Sequence, residues 1–259
     1  MTASATAIRI NVDPTNPGQF FACCGLLELA DRLWPGAEGW FADKEFVIHA
    51  GGGMTNLLAA LSSTPLDQLD AADDMTSPLG LPTPFNLRLD WWQDTRSGGS
   101  SFKTWAGQQK VVSIARAMHG AISRAAGLGK DLLEFTEVIP DPDEPKKVVA
   151  PFYFDARRAG GAHNLDIGFS PDAQKIETTS YPVVELLCLI GLQRFRPAAN
   201  EDRTFSYFAW TQPQPANLAA AISAGGLETP DATAYSFRLL YRTKYLKGFL
   251  PATPSRGAQ

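Results

Sequence analysis

The sequence predicts an α+β fold, a mixed, mostly antiparallel sheet packed by helices, and three observations carry that expectation. Stretches with the two-residue alternation of strands and stretches with helical periodicity are both present. They do not alternate as regular strand-helix-strand units, which disfavours a doubly wound parallel sheet. Two long apolar stretches, each bounded by prolines, read as helices buried inside the protein.

The elements follow in order. AIRINVDP (7–14) alternates as a strand, and NPGQFFACCGLLELADRLWPG (16–36) is a helix with a proline in its first turn and a Pro-Gly stop. WFADKEFVIHAGGG supplies strand material that ends in three glycines, and NLLAALSS (56–63) is a short helix before the acidic loop LDQLDAADDM. FNLRLDWWQD (85–94) alternates as a strand and closes on a Ser-Gly-Gly loop. Residues 102–125 make a long helix, and 131–147 an acidic, proline-rich connection. PFYFDARR (151–158) and NLDIGFS (164–170) pattern as a strand pair, and YPVVELLCLIGLQRFRP (181–197) is the second proline-bounded helix. TFSYFAW (204–210) is a strand, NLAAAISAGG a helix with a glycine stop, and AYSFRLLYRTKYLKG (234–248) a strand or strand pair.

At 259 residues and 44% hydrophobic composition, the chain can bury one substantial core. It is expected to form a single domain over 1–259, with any division into two lobes near 131–150. The two proline-bounded helices echo one another, each running from proline through apolar residues to Gly-Leu and then arginine. That pattern fits an old duplication, or two buried helices built from the same residue types. Cys23, Cys24 and Cys188 are odd in number and lie in apolar runs, the pattern of packed thiols in a reducing compartment, so a cytoplasmic location is expected. No basic segment precedes an apolar stretch at the start, and no apolar run approaches the roughly 20 residues of a bilayer span, so neither secretion nor membrane insertion is expected.

Charge is unevenly placed although the net is only −4. Thr95 to Lys130 holds six bases (Arg96, Lys103, Lys110, Arg116, Arg124, Lys130) and no acid, and five more bases follow Asp231 with no acid. Such polarity favours a polyanionic partner on one side of the molecule. On the long helix, Lys103, Gln109, Lys110, Ser113, Arg116, Gly120 and Arg124 share one side, opposite Val111, Val112, Ile114, Ala115, Met118, Ala121 and Ile122. Without acids at i,i+4 spacing, that basic side suits phosphates better than an ordinary solvated face does. Ser97 to Ser101 lead into the helix, where main-chain N–H groups would also suit a phosphate. Gln109 is placed to reach a base edge, more so than Gln108.

Other candidates are weaker. Arg157 and Arg158, before Ala-Gly-Gly, read as a phosphate clamp or as a local ion pair with Asp155. Arg242 and Lys244 share one face of a strand that also carries aromatics, as an edge holding a nucleic-acid backbone would, or as the polar outer face of a sheet. Trp91, Trp92 and Trp105 fit base stacking or a core. The stretch from His49 to Gly53 lacks the Lys-Ser/Thr of a phosphate loop. The three histidines lack zinc-ligand spacing, and no metal or other cofactor is expected. Asp155, His163 and Asp166 would make a metal-dependent nuclease the alternative from another class.

VDPTNPGQFFACCGLLELADRLWPGAEGWF, SFKTWAGQQ and LDIGFSPDAQKIETTSYPVVELLCLIGLQRFRP together resemble a subunit family of type I-U (also called I-G) CRISPR loci. Within them they resemble the compact protein that takes the place of the large subunit in the Cascade-type effector complex. The resemblance spans residues 11 to 197 and implies a non-catalytic, cytoplasmic subunit that joins a guide-RNA complex and handles target DNA. It would help to read the protospacer-adjacent motif before a separate helicase-nuclease cuts, while the guide reads the sequence. The chain is about half the size, or less, of the large subunits of better-known type I systems. A RAMP-like backbone subunit on a ferredoxin-like sheet is the alternative placement, fitted by the strand-helix-strand start. The expected partners are therefore guide RNA, target DNA, the other effector subunits and the helicase-nuclease, with no membrane. The acidic parts, 67–74 and 131–144, would face neighbouring subunits or solvent.

Overall fold

The computed structural model describes residues 6–73, 75–92, 110–158, 179–242 and 245–255, with the backbone alone for 241, 242 and 245–247. Two helices organise it. The first, α1 (Pro17–Leu33), begins at Asn16, whose extended backbone (φ −92°, ψ 105°) turns its side chain to accept the N–H groups of Gly18 and Gln19. Pro17 has no N–H to leave unpaired there. The helix ends before Pro35, with Gly36 at φ 91°.

Three further helices follow it. They are α2 (Met54–Ser63), α3 (Val111–Ala125) and α4 (Pro182–Arg194), which again starts on a proline. Every residue of α1 from Pro17 to Ala30, and of α4 from Pro182 to Leu192, is buried. A helix apolar on all sides must sit in the middle of a fold rather than on its surface. The two run in the same direction, because Asn16 and Glu185 near their starts both bond to Asp155, and Glu28 and Arg194 near their ends pair.

Two sheets lie around this helix pair, and all their pairings are antiparallel. The first has the order β1-β3-β2-β9, from β1 (Thr6–Asn11), β2 (Glu38–Ala42), β3 (Glu45–Ala50) and β9 (Gln214–Pro215). Ile8, Ile10, Phe41, Phe46 and Ile48 point from it into the core. The second has the order β11-β10-β8-β7, from β7 (Ala198–Ala199), β8 (Thr204–Ala209), β10 (Thr233–Arg242) and β11 (Tyr245–Phe249), with β12 (Thr253–Pro254) also on β10. A small third sheet joins β4 (Asp67–Gln68), β5 (Leu79–Leu81) and β6 (Leu87–Leu89). A last helix, α5 (Ala216–Ser223), follows β9, and the buried side chains form one core that draws on residues from Ile8 to Ala252. The fold is therefore α+β, with antiparallel sheets and packed helices.

Two elements depart from the sequence expectation. The helix expected over 102–125 is interrupted at Lys110, which is extended (ψ 129°), so that α3 starts at Val111, and residues 102–109 lie outside the described residues. Residues 151–155 form no ladder among the described residues. Phe152, Tyr153 and Phe154 are buried in succession, which no alternating strand allows, and Tyr153 takes a left-handed φ of 64°. The N–H groups of Phe154 and Asp155 bond to the Glu185 carboxylate instead of a neighbouring strand.

Candidate nucleic-acid interface

On α3 the apolar side is as the periodicity predicts: Val111, Val112, Ile114, Ala115, Met118, Ala121 and Ile122 are all buried. Arg116, Gly120, Ser123 and Arg124 are exposed, a cationic stripe with small residues between the charges. Ser113 differs from the expectation. It is 8% exposed, and its hydroxyl donates to Asp143 at 3.3 Å.

That contact belongs to a wider correction. The segment after α3 does not simply face outward, because Glu137 turns back and its carboxylate takes two bonds from the Arg124 guanidinium. The pairing holds the Arg124 pKa above its ordinary value, and the Gly120 carbonyl accepts from the same side chain. At the start of the helix, Lys110 and Ser113 share a hollow of about 340 Å³ with Asp141, Asp143 and Glu144. The stripe thus lacks acids along its own helix but not in space. Among the described residues, Arg116 hydrogen-bonds only to a main-chain carbonyl, that of Leu66 at 3.4 Å. Further along, Lys130 reaches Glu45, whose carboxyl the Arg9 guanidinium, with Lys130, keeps below its usual range. Lys103 and Gln109, the two expected contacts upstream, lie outside the described residues, as does Trp105.

Arg157 is partly exposed but tied to the fold by its contacts. Its guanidinium reaches both oxygens of Asp155, Glu134 and the Leu133 carbonyl, and lies 3.5 Å from the centre of the Tyr181 ring. Burial alone would lower its pKa, but Asp155 and Glu134 outweigh burial and raise it. Of the two sequence readings, phosphate clamp and ion pair, this is the geometry of the ion pair. Arg158 is half-buried, and its Nε has no hydrogen-bond partner among the described residues.

Beneath the arginines lies a buried polar knot that sequence reasoning missed. Asn16 Oδ1 accepts from Gly18 and Ala156, while its Nδ2 donates to Asp155 at 2.8 Å. Glu185 is fully buried, and burial pushes its pKa up to about 8 against the pull of the Phe154 and Asp155 N–H groups. A lone carboxylate in the apolar run YPVVELLCLIG was the available signal, and the Asn-Pro helix start was the other.

Asp155 is wholly buried, and His163 and Asp166 lie outside the described residues. No group of three potential metal ligands occurs among the described residues. Trp91 and Trp92 are core residues, with Trp92 edge-on to Phe205 and Phe249. In β10, Tyr235, Phe237 and Leu239 point inward and Arg238 outward, while Arg242 is described by its backbone alone and Lys244 is outside the described residues. Among the described residues, no helix is long and apolar enough to cross a membrane. Compared with family models, curated proteins and solved structures, the chain finds no match in any of the three.

Proposed function

We propose that the chain is a non-catalytic subunit of a type I CRISPR RNA-guided surveillance complex, touching guide RNA or target DNA through α3 and the residues that lead into it. One observation carries the reading. The exposed stripe of Arg116, Gly120, Ser123 and Arg124 lies within a 36-residue stretch, Thr95 to Lys130, that contains six bases and no acid. Cations at that spacing, separated by glycine and serine, let a phosphate backbone approach closely and release its counterions. Within such a complex the chain takes the place of the large subunit, reads the protospacer-adjacent motif and passes opened DNA to a helicase-nuclease. The three buried free thiols accord with a cytoplasmic setting.

A RAMP-like backbone subunit is the second reading, favoured by the strand order β1-β3-β2, which is that of the first three strands of a ferredoxin-like sheet. At the free edge of β1, however, the 3-10 segment Ala126–Glu134 stands where that fold would place its fourth strand, with Asn11 bonded to Asp131.

The test is the double variant Lys110→Glu with Arg116→Glu in the assembled complex. Nucleic-acid affinity should fall, and the slope of log affinity against log salt should become shallower by about 0.7 to 0.9 per lost phosphate contact. Unchanged affinity and slope would turn the reading toward an adaptor without nucleic-acid contact.

A further inference from the structure

The chain from Glu137 onward returns along the polar side of α3. At the end of the helix Glu137 takes two bonds from Arg124, and near its start Asp143 accepts from Ser113. The lengths agree, since α3 rises about 16 Å from Ser113 to Arg124 and the chain from Glu137 to Asp143 spans about 20 Å when extended. Ser113 lies on the same side of α3 as Lys110 and Arg124, and yet it is only 8% exposed.

Beyond Glu137 the segment is a hairpin that closes on itself. The Val149 N–H donates to the Ile139 carbonyl, the Asp141 N–H to that of Lys147, and the Lys147 N–H to that of Glu144. One Asp141 oxygen accepts the N–H groups of Asp143 and Glu144, and Lys147 pairs with Glu144. Pro140, Pro142 and Pro145 stiffen the backbone further. At the root, Ile139 and Val149 are buried and Glu137 bridges to Ser180, whereas residues 142–148 are all exposed. These bonds stay within the hairpin, so the tip can lift from α3 as a unit without breaking them.

In the hollow between hairpin and helix, Lys110 and Lys147 meet Asp141, Asp143 and Glu144. Three carboxylates against two ammonium groups leave this end of the basic side net negative, which repels a phosphate. Contacts this exposed are weak and screened by salt, so a polyanion can compete for them. We propose that residues 137–149 form an autoinhibitory strap on α3, which a bound phosphate backbone displaces. The strap rests on the nucleic-acid reading above.

The three native thiols are buried, so nitroxide labels can be placed on introduced cysteines. Lys146→Cys lies at the exposed tip, and Gly127→Cys beyond the end of α3, where a Cβ meets nothing within 4 Å. The distance between the labels would be measured in the free chain, in the chain with oligothymidylate, and in the assembled complex with guide-matched duplex DNA. Relative to the free chain, it should shift to a new maximum when nucleic acid is bound. Asp141→Asn, Asp143→Asn and Glu144→Gln together keep the oxygens that accept within the tip. This variant should bind severalfold more tightly at low salt and steepen log affinity against log salt by about 0.7 to 0.9. The same loss of charge at Glu201, Glu228 and Asp231, exposed acids outside the hairpin, should leave that slope unchanged.

An unshifted distance, or a hairpin variant no different from this control, would overturn the strap alone if Lys110→Glu with Arg116→Glu still weakens binding. Binding by neither chain nor complex, or binding indifferent to Lys110→Glu with Arg116→Glu, would overturn the nucleic-acid reading of α3 and the strap with it.

Discussion

Gly25 of α1 and Gly191 of α4 face one another at the crossing of the two central helices, each set against the main-chain carbonyl one turn before the other, Leu187 for Gly25 and Phe21 for Gly191. The relation is reciprocal, and it is why two helices apolar on every side can lie almost backbone to backbone. A methyl group at either position would run into main chain, which cannot swing aside as a side chain can. Gly25→Ala and Gly191→Ala should therefore each cost about 3 kcal/mol or more in urea unfolding. Gly120, on the exposed side of α3, has nothing within 4 Å of such a methyl. Gly120→Ala should instead stabilise by roughly 0.5 to 1 kcal/mol, through helix propensity alone. Equal effects at the three sites would remove the close crossing as the cause.

Asn16 joins the start of α1 to a segment 140 residues away, and its two ends do different work. Asn16→Ala removes the helix cap, at about 1 kcal/mol, and also leaves the Ala156 N–H and the buried Asp155 carboxylate short of partners, at about 1 to 3 kcal/mol more. Asn16→Asp keeps the cap acceptor but sets a second carboxylate against Asp155. It should lose stability most at neutral pH and recover part of it as the pH falls, as chemical denaturation across pH would show.

Much of this frame was legible because local rules govern it. Asn16-Pro17 and Pro35-Gly36 bracket α1, prolines bracket α4, and the Gly-Leu echo between the two stretches marks the glycines that meet at their crossing. The sidedness of α3 was also readable, since periodicity alone decides which residues it buries. The charge partners were not. Glu137 reaches Arg124 only because the 3-10 turn after α3 bends the chain back, and Asp143 reaches Ser113 from 30 residues away. The knot around Asp155 uses main-chain N–H groups freed when Tyr153 leaves the strand conformation, which no pattern of side chains announces. Composition along the chain therefore overstated how much of the basic face is unopposed.

Glu185 predicts a pH dependence opposite to that of an ordinary surface carboxylate. Its folded pKa, about 8, lies above the ordinary 4.5 because burial penalises the ionised form more than two main-chain N–H groups and nearby Arg158 favour it. Between those values the folded state holds a proton that the unfolded state has released, so this group's contribution falls as pH rises from about 4.5 to about 8, then levels. The decline should amount to roughly 3 to 5 kcal/mol at most. Glu185→Gln should flatten that part of the stability curve. A wild-type curve rising across the same interval, once the exposed carboxylates are accounted for, would show that Glu185 is buried ionised.

The Arg124 and Glu137 pair links the electrostatics of α3 to the function proposed for it. The pair is partly exposed, 49% and 20% at the two side chains, so Glu137→Gln should change stability by no more than about 1 kcal/mol. Its effect on binding should be larger and opposite in sign. With the carboxylate neutralised, Arg124 gains freedom to neutralise a phosphate beside Arg116, and log affinity against log salt should steepen by about 0.7 to 0.9. Affinity should rise severalfold at low salt and converge on that of the unaltered protein at high salt, where counterion release contributes less. The comparison with Arg124→Gln decides the cause. If Arg124 contacts the strand once released, the double variant Glu137→Gln with Arg124→Gln loses the gain. If the gain persists, the effect is the loss of one negative charge near the interface, and Arg124 is a structural cation that holds the end of α3 to the segment behind it.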